Sequence, residues 1–597
     1  MKKYLFLFFV FSLVFQNTQA SIKTKASSSE KPSVLLIHCD QLSKWPLSCY
    51  SKNLPDYKDL DTPPSLTPNI DKVAENGLLM NNFWCNSGVC TPSRASLQTG
   101  RYPDATGAYE NEIPMNLDEH TLADAFNAEG YTSVYIGKWH LFGNGNKKDP
   151  ATAGWSYEPF RFKEPDVPYV TFGYQDLMYR YNSSHFKYLD FIDRTQPPYE
   201  DYNLVGQNDN TYPTNVFSDK AIDFIRNQGE NPYFLMLSIP DPHGPDKLRD
   251  DYAERNSEDD QYVPPTVTSD QLAKTPRKRK KYCNMISLID DKVGDILQAV
   301  AESNPNTIII FTSDHGDYMG EYGKFGKNLM YSSANNIPFL IQWPGHIAAG
   351  AVIDEVASNV DIYPTLMGLI GGELRATNPI HGEDFSHILL GQGGEWKDEA
   401  VIYHSSQQFA GIVNRDYYLW VSNDNDAAID DKWYMERNAL FLRDGGWESP
   451  ETNQFNNADY TDVKEELINR INYYNKRDNA GASTWLINQF GEPSVPSNIS
   501  IVKINDNQQN TSVISLEQNS PNPVASTTSI NYQIKKSGRV QLKVYNIALQ
   551  EIEVLVDEHQ VKGGYKVQFD CSKYNSGVYF YSLSLGTLAN SKKMLVL

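Results

Sequence analysis

A cysteine at the start of a short polar motif is the first candidate for chemistry in this chain. Residues 90–94 read CTPSR, and Gly100 follows within a few helical turns. Thr91 can cap a helix, the proline suits a first helical position, and glycine commonly ends a helix. The pattern predicts a helix with Cys90 at its N-terminus, where free N–H groups favour an anion such as a sulfate or phosphate ester. A buried cysteine before a helix is the simpler alternative.

The same motif, with LQTGR at residues 97–101, resembles the maturation signature of the type I, formylglycine-dependent sulfatases. In that family the matching cysteine is oxidised to an aldehyde, formylglycine, whose hydrate attacks the sulfur of a sulfate ester. The resemblance implies this chemistry for Cys90, and it implies a formylglycine-generating maturation enzyme as a partner. Further motifs of the family follow in the expected order over residues 32–442.

Two lysines and two histidines match the further motifs of the sulfatase family. Lys138 and His140 stand in the sequence Gly-Lys-Trp-His, His243 follows an Asp-Pro pair, and Lys327 precedes Tyr331 by four positions. Taken singly, each is better explained as a solvated lysine, a core histidine or a constrained turn. Found together and in order, they indicate the catalytic set of a sulfatase.

The resemblance also implies a metal site. Asp40 and Gln41 follow one apolar run, Asp314 and His315 follow another, and all four match positions of the family's metal ligands. Many members carry an aspartate where Gln41 stands and an asparagine where His315 stands, so this site has fewer anionic ligands than the commonest pattern. Carboxylate oxygens suit a hard cation, whereas an imidazole also suits transition metals. We expect a calcium ion.

Cleavage of a sulfate ester requires a nucleophile, cations around the sulfate oxygens and a proton for the leaving alcohol. The resemblance assigns the nucleophile to formylglycine, with Arg94 fixing the aldehyde-derived group. Lys138 and Lys327 would hold the sulfate oxygens. His243 would protonate the departing sugar hydroxyl, and His140 would take the proton whose loss regenerates the aldehyde.

Four short apolar runs must position these residues, because each run ends at one of the polar clusters. The runs span residues 33–39, 131–137, 233–239 and 307–313. Their length and composition are typical of buried parallel strands. Helical patterns lie between them, at residues 67–77, 121–129 and 282–300. The alternation predicts an α/β fold with a doubly wound sheet, whose ligands bind beyond the carboxyl ends of the strands.

The length of 597 residues indicates more than one folded unit. The resemblance implies an alkaline-phosphatase-like catalytic domain, a smaller C-terminal α+β subdomain and a β-sandwich sorting domain. We therefore predict a signal peptide, these two sulfatase parts, a linker and the sorting domain, at residues 1–20, 21–400, 401–492, 493–514 and 515–597.

An insertion rich in aromatic residues is predicted between residues 143 and 216. Its rings, Tyr174 among them, could stack on sugars, and its basic side chains could meet sulfate groups. Packing of the rings against the domain explains any single aromatic residue at least as well. We therefore assign no site residue to this insertion.

The N-terminus and the net charge restrict where the protein acts and what it binds. Two lysines after Met1, an apolar run and the small residue Ala20 are typical of a signal peptide. The run is shorter than the roughly 20 residues that span a bilayer, so we expect no membrane span in the mature protein. A net charge of -21 argues against broad binding to nucleic acid or anionic membranes. An anionic substrate must therefore meet a local positive pocket.

The last module resembles the C-terminal sorting domain of the type IX secretion system. The resemblance depends on LEQNSPNP at 516–523, VYN at 544–546 and SGVYF at 576–580. It implies the type IX secretion machinery as a partner and a secreted or cell-surface location, with a carbohydrate-binding β-sandwich as the alternative. An enzyme outside the cell can reach polymers, so we expect sulfated polysaccharides or their oligosaccharides, such as ulvan or carrageenan, as the sulfated carbohydrate substrate.

Two alternative functions stay open at this point. A phosphodiesterase or phosphonate monoester hydrolase of the same superfamily is one, because both predicted metal pairs also resemble that branch. A catalytically inactive sugar-binding protein is the alternative of another class. Such a protein would be expected to lack the nucleophile or the lysines, whereas Cys90, Lys138 and Lys327 are all present.

Overall fold

The structure is a computed structural model. It describes residues 31–51, 66–141, 172–181, 212–229, 231–245, 250–259, 261–404, 408–423, 437–443, 448–478, 484–494, 496, 514–535, 538–546, 551–585 and 588–596. The predicted signal peptide and most of the predicted aromatic insertion lie outside the described residues. The chain divides into two compact units, Met1–Ser500 and Ile501–Leu597. The limits predicted for the two sulfatase parts within the first unit stay predictions.

A nine-stranded sheet forms the centre of the first unit. In chain order its strands are β1 (Ser33–Asp40), β2 (Leu78–Trp84), β3 (Thr132–Lys138), β4 (Asp176–Tyr181), β5 (Tyr233–Pro242), β6 (Thr307–Ser313), β7 (Asn336–Ile337), β8 (Phe339–Gln342) and β9 (Ala351–Ser358). They lie in the order β4-β3-β5-β1-β6-β8-β2-β7, and β9 pairs with β2. The sheet is mixed, because β8 pairs antiparallel with β6 and β2.

The four strands predicted from the apolar runs are β1, β3, β5 and β6. They are confirmed as neighbours that pair parallel to one another, and every residue of β1, β5 and β6 is buried. Parallel neighbours bring their carboxyl ends to one edge of the sheet. The residues that end or follow these strands, Asp40, Lys138, His243 and Asp314, are therefore brought to the same edge.

Helices cover both faces of this sheet. In the described residues of the first unit they are α1 (Ser48–Ser51), α2 (Pro68–Glu75), α3 (Cys90–Thr99), α4 (Leu122–Ala128), α5 (Pro213–Asn227), α6 (Thr275–Ser303), α7 (Ser332–Asn335), α8 (Asn359–Ile370), α9 (Ser386–Leu389), α10 (Thr461–Arg477) and α11 (Thr484–Phe490). Leu36 of β1 packs in one core with α3, α4 and α8, and Leu35 packs in another with α2, α5 and α6. The alternation along β1 thus buries both faces, as a doubly wound sheet requires.

The predicted helices form, with one correction at the nucleophile motif. Helix α3 begins at Cys90 itself, so Val89 is the N-cap residue and the prediction of a Thr91 cap is wrong. Because the helix begins earlier than that cap requires, Thr91 lies within its first turn, and its hydroxyl donates to the carbonyl oxygen of His140 at 2.8 Å. Gly100 ends the helix as predicted, in the left-handed conformation at φ 67°.

A second, antiparallel sheet follows in the first unit. It consists of β10 (Glu399–His404), β11 (Phe409–Asn414), β12 (Tyr417–Ser422) and β13 (Ala439–Leu442). Helix α10 packs on it, and Arg470 of that helix forms a buried ion pair with Glu399 at 2.7 Å. The N–H of Gly88 donates to Nε2 of His404 at 3.2 Å, so the end of β10 supports the segment just before α3.

In the described residues of the second unit, all the regular elements are strands. They are β14 (Ile514–Leu516), β15 (Thr527–Ile534), β16 (Gly538–Tyr545), β17 (Glu551–Gln560), β18 (Gly563–Asp570), β19 (Gly577–Leu585) and β20 (Leu588–Val596). They form two sheets, β14-β15-β18 and β17-β16-β19-β20, whose apolar residues share one core. In the part of the chain that the structure describes, no helix has the length and apolar character needed to cross a membrane.

Candidate active site

Cys90 lies at the first position of α3, and the whole helix is buried. Two hydrogen bonds of the next residue hold this helix end: the Thr91 N–H donates to Oδ1 of Asn111 at 3.0 Å, and its hydroxyl donates to the His140 carbonyl at 2.8 Å. The first turn of a helix leaves backbone N–H groups unpaired and carries partial positive charge. The cysteine thus lies where an anion is favoured.

Two lysines, a histidine and an aspartate surround the sulfur of Cys90. Its Sγ lies 2.9 Å from Nζ of Lys327, 3.1 Å from Nε2 of His315, 3.6 Å from Nζ of Lys138 and 3.7 Å from Oδ1 of Asp40. Burial raises the pKa of the Cys90 thiol, but the two lysines outweigh burial and hold that pKa well below its usual value. This environment stabilises a negative group at position 90.

Asp40 is paired with the same cations although it is fully buried. Nζ of Lys138 lies 2.5 Å from its Oδ2. Burial raises the pKa of the Asp40 carboxyl, but the charges of Lys138 and Arg94 outweigh burial, so the pKa falls well below its usual value. Asp40 therefore stays ionised in the interior.

Arg94 connects Asp314 to the ends of the parallel strands. Its Nε and Nη2 both lie 2.9 Å from Oδ2 of Asp314, and its Nη1 donates to the Lys138 carbonyl at 2.9 Å and to Oγ of Ser238 at 2.8 Å. Burial nevertheless keeps the pKa of Asp314 raised, with the charge of Asp40 acting in the same direction and that of Arg94 against it. Arg94 therefore fixes this carboxylate in place.

The geometry fits a metal ion beside Cys90. Donor atoms of Asp40, Cys90, Asp314 and His315 lie within 4.8 Å of one another, and all four residues are buried. Nδ1 of His315 lies 3.0 Å from the Gly316 carbonyl, which can only accept, so Nδ1 carries the proton and the Nε2 lone pair faces the group. Carboxylate oxygens and an imidazole nitrogen together suit a divalent cation.

Gln41, the fourth predicted ligand, has the left-handed backbone conformation at φ 66°. Its N–H donates to Oδ1 of Asp314 at 2.9 Å, and its Oε1 accepts from Nζ of Lys327 at 2.9 Å. An amide oxygen has two lone pairs, so one is left for a cation. The strained backbone is typical of a functional site.

Asp317 is a site residue that the sequence reasoning missed. It is buried, it accepts from the amide of Gln41, and its Oδ1 accepts the N–H groups of Met319 at 2.8 Å and Gly326 at 2.9 Å. It thereby shapes the loop that carries Lys327. A carboxylate ahead of a glycine-rich loop was the sequence signal for it.

His140 and His243 complete the set. Nε2 of His140 lies 3.4 Å from Oε1 of Glu112, a residue that the sequence reasoning also missed. His243 follows β5, and its Nδ1 donates to the Gly244 carbonyl at 2.8 Å. Burial lowers the pKa of His243 to about 3, while Asp40 acts in the opposite direction. The described structure thus gathers all the predicted site residues at one edge of the sheet.

Tyr174 lies in the core and not on a sugar-binding face. Its ring is buried against Tyr135 and Trp139, and its hydroxyl donates to Oε1 of Gln98 at 3.0 Å. Core packing therefore accounts for this aromatic residue, as the alternative explanation proposed. The other aromatic and basic residues that could bind sugars or sulfate in the insertion lie outside the residues whose side chains the structure describes.

Comparison with known families shows which family the chain belongs to. The model described as "Sulfatase" matches residues 32–372, more than half of the chain and every predicted site residue. The chain belongs to the sulfatase family. The model for the C-terminal part of N-sulphoglucosamine sulphohydrolase matches residues 320–477 of the sulfatase, and that for a secretion-system C-terminal sorting domain matches residues 520–597.

Individual relatives agree with this family. The sulfatase is 27% identical to an ulvan-active sulfatase of Formosa agariphila over 422 residues, which cover 68% of this chain and 75% of the relative. Its fold is similar to that of a phosphonate monoester hydrolase of Agrobacterium radiobacter, with a TM-score of 0.57 and 20% identity, over 75% of this chain and 96% of the other. A structure of Ps i-CgsB in complex with k-i-k-neocarrahexaose has a TM-score of 0.54 and 20% identity, over 78% and 94%.

These findings confirm several sequence predictions. The sulfatase is a sulfuric ester hydrolase with an alkaline-phosphatase-like fold. Its last module is a type IX sorting domain, which indicates a secreted or cell-surface protein. The roles of individual site residues stay predictions, and we treat them below as a proposal.

Proposed function

We propose that this sulfatase removes sulfate from sulfated polysaccharides or their oligosaccharides outside the cell, with formylglycine derived from Cys90 as its nucleophile. The observation that carries the proposal is the placement of Cys90 at a helix N-terminus, with Lys327 and Lys138 within 2.9 and 3.6 Å of its sulfur. Two ammonium groups and the helix end form the local positive pocket that an anionic ester needs in a chain of charge -21.

The residues around position 90 fit both groups that the family implies. Formylglycine supplies a hydroxyl nucleophile for the sulfur, and the cation supplies positive charge that favours the ionised form of that hydroxyl. Asp40, Gln41, Asp314 and His315 would hold the cation, for which we propose calcium. Arg94 pairs with Asp314, and so it holds this ligand in position without the ion.

The other side chains bind the sulfate group and move protons. Lys138 and Lys327 would hold its oxygens and offset the charge that develops on them. His243 has a low pKa in the free protein, but a bound sulfate ester lies close to it in this proposal, and the negative charge favours the imidazolium that protonates the leaving alcohol. His140 would accept the proton of the remaining hydroxyl at position 90.

The substrate class is inferred from the relatives and the sorting domain. A relative at 27% identity is an ulvan-active sulfatase, and a sorting domain that directs the enzyme outward lets it meet polymers that do not enter a cell. Sulfated polysaccharides of this kind are the proposed substrates. Ulvan and carrageenan are the first two to test.

A second candidate is hydrolysis of phosphonate or phosphate esters by the same site. Gln41 and His315 favour it, because they depart from the commonest metal ligands of sulfatases and resemble those of the phosphonate monoester hydrolases. The fold match to such an enzyme fits this view but shows the fold alone. Sulfate and phosphate esters have similar geometry and charge, so only turnover separates them.

The experiment is peptide mass spectrometry on protein matured by a formylglycine-generating enzyme, together with release of sulfate from an aryl sulfate, ulvan and carrageenan. We expect an aldehyde at position 90, sulfate release, and loss of both in Cys90→Ala. Cys283→Ala is the matched control, because Cys283 is buried in the core on the α6 side of the sheet. Activity with an unmodified Cys90, or turnover of phosphate diesters alone, would overturn the proposal.

A further inference from the structure

We propose that Glu112 is a positioning residue that holds His140 as the Nε2–H tautomer and leaves Nδ1 as the proton acceptor of the site. The inference deepens the proposed function and rests on the proposed role of His140 as a base. Glu112 belongs to none of the sequence motifs that the sulfatase resemblance depends on, and its part in the site emerges only from the structure.

The contact itself sets the direction of the hydrogen bond. Oε1 of Glu112 lies 3.4 Å from Nε2 of His140, and the ring N–H geometry is that of a hydrogen bond. An ionised carboxylate can only accept, so Nε2 must carry the hydrogen. In a neutral imidazole the other nitrogen, Nδ1, then has a lone pair.

Nδ1 of His140 is available for a proton. The His140 side chain is only 4% exposed, and Nδ1 has no hydrogen-bond partner among the residues that the structure describes. A buried ring nitrogen without a partner is costly in a folded protein and is commonly explained by function. This nitrogen therefore fits a base that finds its partner only when substrate is bound.

The backbone of both residues, His140 and Glu112, is held in an unusual conformation. His140 has φ 59° and Glu112 has φ 69°. Both angles lie in the left-handed region, which residues other than glycine rarely adopt. Thr91 ties both segments to the nucleophile helix, because its hydroxyl donates to the His140 carbonyl and its N–H donates to Asn111. The surrounding structure thus enforces the strain and fixes the pair relative to Cys90.

The carboxylate also offsets the charge that proton transfer creates. When Nδ1 forms a bond to the proton of a hydroxyl in the site, the O–H bond breaks, its electron pair stays on oxygen and the ring becomes a cation. Glu112 lies beside that cation on the Nε2 side, so the ion pair stabilises it. The proton leaves to water afterwards, and the ring returns to the same tautomer.

The first test is nitrogen NMR of histidine-labelled protein produced without the maturation enzyme. We expect the signal that disappears in His140→Ala to show the Nε2–H tautomer in the wild type. Glu112→Ala should lose that preference, and Glu112→Gln should keep it, because the amide oxygen still accepts. Glu110→Gln, a carboxylate two positions earlier in the chain, is the matched control and should leave the tautomer unchanged.

The second test is turnover of an aryl sulfate by the matured protein. Glu112→Ala should lower kcat about tenfold to a hundredfold with KM nearly unchanged, and Glu112→Gln should recover part of the loss. An Nδ1–H tautomer in the wild type, or an unchanged tautomer in Glu112→Ala, would overturn the inference. The tautomer measurement needs no turnover, so a matured wild type that releases no sulfate would refute the proposed function instead.

Discussion

Lys327 joins the nucleophile position to the metal site. Its Nζ lies 2.9 Å from Cys90 Sγ and 2.9 Å from Oε1 of Gln41. Burial lowers the pKa of this ammonium, but the charges of Cys90 and Asp40 outweigh burial and keep the pKa above its usual value. The group therefore stays charged and can serve both the sulfate and the cation site.

Replacing this ammonium should damage turnover far more than folding. We expect Lys327→Met to lower kcat/KM for an aryl sulfate by about a hundredfold to a thousandfold, because one preorganised charge at the transition state is lost. Lys324→Met, three residues earlier on the same loop, is the control and should be near wild type. Equal losses in both variants would show that the loop, and not the charge, matters.

Calcium should stabilise the protein through the carboxylate pair. At a concentration of about one hundred times Kd, a bound ion adds about 2.7 kcal/mol to the free energy of unfolding. Asp314→Asn should abolish that gain, since it removes a charge from the donor group. Asp290→Asn, a carboxylate that caps α2 through the N–H groups of Asn69 and Ile70, should keep it.

Denaturation in the presence and absence of calcium, followed by tryptophan fluorescence, measures this gain. All ten tryptophans precede residue 500, so the signal reports on the first unit. A gain with manganese or zinc but not with calcium would contradict our choice of metal. Such a result would still support a metal site at these residues.

Gly137 should tolerate no side chain. It has φ 109°, and a Cβ there would lie 2.0 Å from the backbone oxygen of Ser238 on β5. We expect Gly137→Ala to cost about 3 kcal/mol or more, from overpacking and backbone strain together, and to displace Lys138. Gly130→Ala is the matched control with φ 83° and open space, and should cost about 1–2 kcal/mol. Similar losses for both would contradict the steric argument.

Stability should fall on acidification through His404. Burial, with a smaller effect of His315, lowers the pKa of His404 from 6.5 to about 4. The unfolded chain therefore binds a proton near pH 6.5 that the folded protein accepts only near pH 4. The contribution is complete above pH 6.5 and is lost as the pH falls towards 4, by about 3 kcal/mol in total.

The variant His404→Gln tests this dependence. Its amide oxygen can still accept from the Gly88 N–H but does not titrate. We expect the difference in unfolding free energy between pH 7.5 and pH 4.5 to be smaller in the variant than in the wild type, measured by chemical denaturation. An identical difference would show that other groups control the acid sensitivity.

Much of the fold follows from local patterns. Runs of apolar residues between polar clusters predicted the four parallel strands, because a strand buried on both faces must be apolar at every position. The helix from Cys90 was predicted from proline and glycine at its two ends, but the predicted cap, Thr91, was wrong. The Thr91 hydroxyl donates to the His140 carbonyl, a contact between residues 49 positions apart that no local pattern indicates.

The residue types along the chain determined which chemistry is available, and the tertiary structure decided which side chains contact one another. Cys90, the lysines, the histidines and the metal pairs were predicted from the chain because each belongs to a motif that resembles one of the sulfatase family, and the motifs follow in the family's order. Asp317 and Glu112 belong to no such motif. Their roles depend on which strand ends and loops meet, and that is set by the order of strands in the sheet and by a strained backbone that only the packed structure can hold.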